Sequence, residues 1–172
     1  MVEPGAGLMA KKTYLLDNNT LNDYVNKTVD FLGWLSSRKS DRMFTCSIVI
    51  GEVKAGHRIN EPTDPAARKF FESRIRSTVA TRCWNVEQST GKYYADIIEA
   101  ILKANPRTLK KNGKPVLSLH DHLQKLNVGI NDVWIAAVAL ERNAVLVTED
   151  AMPAIRAASP TLRVESWKQS SP

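Results

Sequence analysis

VGINDVWIAAVALERNAVLVTEDAMPA, residues Val128 to Ala154, decides the architecture. Asp132 stands at the entrance to an apolar run, Val133 to Leu140, that is apolar on every side of a helix and so predicts burial on more than one face. Glu141, Arg142 and Asn143 make a polar turn. Ala144 to Val147 is then a short apolar run of the kind a buried strand needs, and Glu149 and Asp150 stand just past it. Helix, turn, buried strand and acid, in that order, describe an α/β protein whose chemistry lies at the strand ends.

The upstream chain repeats the pattern. Thr13 to Leu16 is β-like and ends at Asp17. Asn18, Asn19 and Thr20 supply capping side chains, with Thr20 and Asp23 at capping-box spacing. Leu21, Tyr24, Val25, Thr28, Leu32 and Leu35 recur at helical intervals and predict one helix to about Ser37. Met43 to Cys46 is the second strand. Ser47 is placed to cap a short helix over Ile48 to Ala55, closed by Gly56 and carrying Glu52 about one turn from its start.

Asp64-Pro65 is a helix start whose apolar face would be Phe70, Phe71, Ile75 and Val79. Cys83 to Val86 is a brief strand. Tyr94, Ile97, Ile98, Ile101 and Leu102 mark the cleanest amphipathic helix, stopped by Asn105-Pro106. Arg107 to Pro115 is a basic, turn-rich loop, Ser118 to Leu126 a short helix, and Leu162 to Trp167 the last strand. Strands alternating with helices, and no hairpin signal, predict a mostly parallel sheet in a three-layer α/β/α domain. That domain is expected over residues 13–167, with 1–12 a flexible lead-in and 168–172 a tail.

The net charge of +6 favours an acidic partner such as nucleic acid. Cys46 and Cys83 lie in apolar surroundings without a C-x-x-C pattern, as buried thiols of a reducing compartment do. No apolar run approaches the ~18 residues of a membrane span, and the first dozen residues lack the apolar core of a signal peptide. A cytoplasmic location and no membrane partner are expected.

Four acids share one kind of position. Asp17, Glu52, Asp132 and Asp150 each fall at a strand end or within the first turns of a helix. A single acid there is explained by capping and the helix dipole. Four on separate strand-to-helix units converge along one edge of a parallel sheet, where like charges repel. An oxygen-only donor set of that kind calls for a hard cation, Mg2+ or Mn2+, the ions that activate water and neutralise charge developing at a phosphate.

These segments resemble the PIN-domain nucleases, and among them the VapC-type toxins of toxin–antitoxin pairs. Tyr14-Leu15-Leu16-Asp17-Asn18-Asn19 is similar to the family's opening strand, Ser47 to Gly56 to its glutamate-bearing helix, and Val164-Glu165-Ser166-Trp167 to its closing strand. The resemblance is densest at Asn131 to Ala137 and Leu146 to Asp150. It implies a Mg2+- or Mn2+-dependent endoribonuclease with Asp17, Glu52, Asp132 and Asp150 as the catalytic, metal-holding acids and Asn19 and Thr148 in support. It also implies an antitoxin partner and a homodimer. Two departures stand out. Met152-Pro153 follows Asp150 where the family shows an acid–phenylalanine pair, and the segment from Pro106 to Val128 is longer than in compact VapC toxins.

Lys54, His57 and Arg58, just past Glu52, are candidate RNA-backbone contacts; a solvated helix end explains them as well. The same holds for Lys110, Lys111 and Lys114. His120 and His122 occupy alternate helical positions and do not share a face, which argues against joint metal ligation. Trp34, Trp84, Trp134 and Trp167 sit in apolar segments and suit packing. Three other readings stand beside the toxin: a stand-alone RNA-processing PIN nuclease, a non-catalytic binding scaffold, and a haloacid-dehalogenase-like phosphatase. The last needs a second acid two residues after Asp17, where this chain has Asn19.

Overall fold

The computed structural model describes residues 11–60, 64–79 and 82–168. The elements run β1 (Thr13–Leu16), α1 (Asn18–Asn26), α2 (Val29–Ser36), β2 (Arg42–Cys46), α3 (Ser47–Asn60) and α4 (Pro65–Val79). They continue with β3 (Cys83–Trp84), α5 (Thr90–Ala104), α6 (Leu119–Lys125), α7 (Ile130–Glu141), β4 (Val145–Val147), α8 (Pro153–Ala158) and β5 (Arg163–Glu165).

Among the described residues the strands form one sheet in the order β3-β2-β1-β4-β5, every pairing parallel. In the central strand, Leu15 lies opposite Phe44 on one side and Leu146 on the other. Tyr14, Leu15 and Leu16 are buried, as are Val145, Leu146 and Val147, so both faces of the sheet are covered. Successive strand residues point to opposite faces, and only a three-layer arrangement buries all of them. From β1 the chain moves outward through β2 and β3, then returns to place β4 and β5 on the other side. The gap between the carboxyl ends of β1 and β4 is therefore a topological switch point, where open parallel sheets bind their ligands.

The helix expected to run from Asp17 to Ser37 is two. Lys27 turns left-handed at φ 54° and its backbone N–H bonds Asp23 O, which ends α1. The break re-aims α2 so that Phe31 and Trp34 enter the core, while Leu32 is exposed and Val29 is 84% exposed. Phe31 stacks on Trp34 at 5.4 Å and meets Trp167 edge-on at 5.7 Å. The cap of α1 is Asp17 and not Thr20.

Gly56 does not close α3, which continues to Asn60; a glycine permits a left-handed turn without imposing one. In α4, Asp64 accepts the Ala66 N–H at 2.8 Å, as a cap should, and Ile75 is buried. Phe70 is 64% exposed and does not belong to the buried face. The strand expected over Cys83 to Val86 shortens to two residues. After β4, Met152 adopts φ 42° and Pro153 opens α8, a short helix that periodicity alone does not announce. The hairpin-free expectation also fails at one place, since Leu109 and Pro115 form an antiparallel bridge.

The tryptophans pack as expected. Trp84 stacks on Phe44 at 4.1 Å and Trp134 on Tyr94 at 4.0 Å. Cys46 is buried, Cys83 is half-buried, and both are free thiols held above their ordinary pKa by burial. Among the described residues no helix is long and apolar enough to cross a membrane. The expected lead-in lies outside the described residues, apart from Lys11 and Lys12, and so does the tail apart from Lys168.

Candidate active site at the carboxyl ends of β1 and β4

Asp17 is the first residue past β1 and is only 3% exposed. Its backbone N–H reaches Val147 O at 3.2 Å and so carries the β1–β4 ladder one residue further. Its side chain accepts the Thr20 N–H at 2.7 Å, which caps α1. The Thr148 hydroxyl also hydrogen-bonds this carboxylate. Burial pushes the Asp17 pKa up; the bonds from Thr148 and Thr20 pull against it, and the nearby charge of Asp150 adds to the rise. Thr20 contributes a second tie, its hydroxyl donating to Val147 O at 3.0 Å and pinning α1 to β4.

Past β4, Thr148 is buried at 2% exposure and its N–H reaches Glu165 O at 3.1 Å. Its hydroxyl accepts the Asp150 N–H at 3.0 Å and shapes the turn that presents Asp150. The neighbouring Glu149 is turned away. It accepts from Ser166 Oγ at 2.9 Å and from the backbone N–H groups of Trp167 at 3.2 Å and Lys168 at 3.4 Å. Of the two adjacent acids, Asp150 is the one whose charge reaches Asp17 and Asp132.

Glu52, on α3, accepts a hydrogen bond from Asn131 Nδ2 at 2.7 Å. Asp132 lies in the first turn of α7. Its pKa is raised to about 6, first by burial, then by the charges of Asp150, Glu52 and Asp17, against a lowering bond from the Gly129 backbone. Four carboxylates from four separate elements therefore share one electrostatic field. Among the described residues, no three His, Cys, Asp or Glu side chains stand close enough to hold an ion as they lie. The donor chemistry, oxygen only, fits a hard divalent cation.

Gly129 makes room for Asp132. A Cβ built on Gly129 would sit 2.5 Å from Asp132 Oδ2. Its φ of −73° suits any residue, so the requirement is space and not backbone conformation. Gly129→Ala is expected to displace the Asp132 carboxylate, with under ~1 kcal/mol change in stability, since alanine restricts the unfolded chain. The titration of the Asp132 carboxyl followed by NMR, beside a urea melt, would check this; an unmoved Asp132 signal would show that the close approach does not constrain it.

The other expected residues have no hydrogen bond to the four acids among the described residues. Asn19 is exposed on α1, and its side chain makes no hydrogen bond that ties it to the four acids among the described residues. Lys54 is two residues from Glu52 and so faces another side of α3, toward Cys83, whose thiol it influences. Arg58 pairs with Glu72 at 3.5 Å, tying α3 to α4. His122 Nε2 is within 2.8 Å of Asn105 O and serves packing.

The PIN domain family profile matches residues 14–158. The chain belongs to the PIN domain family. No curated protein matches it. Among solved structures, it is similar at 20% identity to a chain of VapBC2 from Rickettsia felis bound to a promoter DNA fragment, covering 90% of this chain and 98% of that one (TM-score 0.61). VapBC-1 from nontypeable Haemophilus influenzae matches at 20% identity over 91% and 98% (TM-score 0.62), and FitAcB from Neisseria gonorrhoeae at 17% over 90% and 98% (TM-score 0.63).

Within this PIN domain, three supporting residues are not evident from the sequence as contributors to a site. Thr20 carries a signal, a hydroxyl three residues after Asp17, but its capping spacing with Asp23 points to a different role. Asn131 and Gly129 stand beside Asp132 in the chain, and nothing in the sequence alone says that one holds Glu52 and the other gives Asp132 its space.

Proposed function

We propose that this PIN domain is a Mg2+- or Mn2+-dependent endoribonuclease acting as the toxin of a toxin–antitoxin pair. One observation carries the reading. Asp132 is held well above the ordinary carboxylate range by burial and by Asp150, Glu52 and Asp17, three acids brought from other elements to the same switch point. Asp17 serves the fold as the cap of α1, but the crowding that raises Asp132 does not.

In the mechanism, Asp17, Glu52, Asp132 and Asp150 would hold the cation. When bound, Mg2+ or Mn2+ lowers the pKa of water and stabilises charge on the scissile phosphate. The chain's own residues fix the geometry. Thr20 and Thr148 lock Asp17, Thr148 also sets the turn bearing Asp150, and Asn131 steadies Glu52. Burial of α7 on several faces keeps Asp132 from swinging away. Such positioning in advance is the main lever available in phosphoryl chemistry.

The test is cleavage of single-stranded RNA with Mn2+, with Mg2+ and with chelator. Cleavage that needs the ion and is lost in an Asp17→Asn/Asp132→Asn double variant supports the reading; cleavage unchanged in that variant removes these acids from the mechanism. Several similar structures are VapBC complexes, which supports an antitoxin partner covering the acidic crevice. A homodimer and a cytoplasmic setting, suited to two free thiols, belong to the same reading. Co-purification of a small partner encoded beside this chain separates the toxin from a stand-alone RNA-processing nuclease.

A further inference from the structure

The segment joining α5 to α6 makes no hydrogen bond to the carboxylate site among the described residues and is tied together by its own hydrogen bonds. Lys110 N–H donates to Lys114 O at 2.7 Å, Val116 N–H to Thr108 O at 2.8 Å, and Gly113 N–H to Lys110 O at 2.9 Å. Gly113 takes φ 76°, a conformation glycine adopts without strain, and Asn112 Oδ1 accepts the Lys114 N–H at 3.2 Å. The result is a small antiparallel hairpin whose end carries Lys110, Lys111 and Lys114, all exposed, with Arg107 at its root. Residues 106–120 contain no acid. Among the described residues, none of the three lysines forms an ion pair. Three ammonium groups within five residues repel one another, and no carboxylate of the described chain offsets that.

The hairpin's place follows from the helices that hold it. Ser89 and Thr90, where α5 begins, both bond Glu141, where α7 ends, with Thr90 Oγ1 donating at 2.6 Å. The two helices are therefore antiparallel, and the last turn of α5 lies beside the first turn of α7, which bears Asp132. His122 clamps α6 to Asn105 at the end of α5, and Asn127, at φ 54°, turns the chain from α6 into α7. The hairpin is rooted at the same edge of the sheet as the four acids.

We infer that the 107–116 hairpin binds RNA backbone and extends the substrate path beyond the scissile phosphate. This rests on the ribonuclease reading above. A site lined by carboxylates repels a polyanion, and cations on an arm beside it offset that repulsion. Lysines act as point charges on phosphates, and the hairpin end carries no aromatic ring to stack on a base, so the recognition is independent of sequence. Exposed Leu109 and Val116 on the same hairpin make an acidic polypeptide the rival occupant.

The experiment compares the full chain with a Lys110→Ala/Lys111→Ala/Lys114→Ala variant, its fold checked by melting temperature. Binding of a labelled single-stranded RNA of about 20 nucleotides is measured in chelator across a salt series. On a single strand, each phosphate no longer neutralised by a lysine takes about 0.7 off the salt slope, so a fall of about 2 is expected, with at least about tenfold weaker binding at low salt. Cleavage with Mn2+ should show a raised KM on the long RNA and an unchanged kcat. Equal affinity and slope in the two proteins would overturn the inference. So would retained RNA binding together with failure to bind a poly-glutamate peptide that the wild type binds, which would assign the arm to a protein partner. A wild type that binds RNA through the lysines but cleaves none would leave the hairpin's RNA binding standing and overturn the ribonuclease reading, and with it the substrate path.

Discussion

Asp132→Asn is expected to lower metal-dependent RNA cleavage by about a thousandfold while making the ion-free protein more stable. The two effects have one cause. At neutral pH Asp132 is ionised although its pKa stands near 6, because burial and three neighbouring carboxylates disfavour the charge. An amide of the same shape removes a donor from the cation's set and removes the repulsion with it. The Asp132 side chain is partly open to solvent, so the relief is discounted to about 1 kcal/mol, a rise of about 2–4 °C in melting temperature in chelator. Kinetics with Mn2+ and melts in chelator measure both. A variant that cleaves like the wild type would remove Asp132 from catalysis, and an ion-free melt below the wild type's would refute the electrostatic account. Asn at position 17 remains a good cap for α1, so the double variant should fold as well.

How much of this is legible in the sequence depends on how local the deciding physics is. The parallel sheet is legible because short apolar runs at Thr13 to Leu16, Met43 to Cys46 and Ala144 to Val147 alternate with helical segments, and each run ends at or near an acid. Features set by distant partners are not. Glu149 and Asp150 are neighbours of equal charge, and Ser166, Trp167 and Lys168, from the far end of the chain, turn Glu149 away. The break at Lys27 involves no glycine or proline; it follows from the gain in burying Phe31 and Trp34 together, a tertiary effect that periodicity cannot carry. Gly56 fails in the opposite sense, offering a stop that α3 has no reason to take. The hairpin at 107–116 does carry a local signal. Asn112-Gly113 is a turn dipeptide, masked because the flanking strands lack the apolar alternation that ordinarily announces a hairpin.

The pH dependence of stability is expected to change sign with the ion. In chelator the raised pKa of Asp132 means that the folded state binds more protons than the unfolded one between the ordinary carboxylate value of 3.8 and about 6. Stability therefore falls as pH rises through that window and levels off above it, and buried Asp17, also raised, acts in the same direction. After discounting for solvent screening, the fall is about 1–2 kcal/mol. With Mn2+ at about a hundred times its dissociation constant, binding to the folded state alone adds about 2.7 kcal/mol. That gain needs ionised carboxylates, so it is present above a pH of about 6 and is lost as pH falls below it. Denaturant melts at matched pH with and without the ion isolate this effect, because every other titrating group contributes equally to both arms. In Asp132→Asn the difference between the arms should be small and nearly flat with pH. A wild-type difference that does not depend on pH would mean that any bound ion is held by something other than these carboxylates. On the proposed reading, the crowding that raises Asp132 and the affinity for a cation are one property, measured from opposite sides.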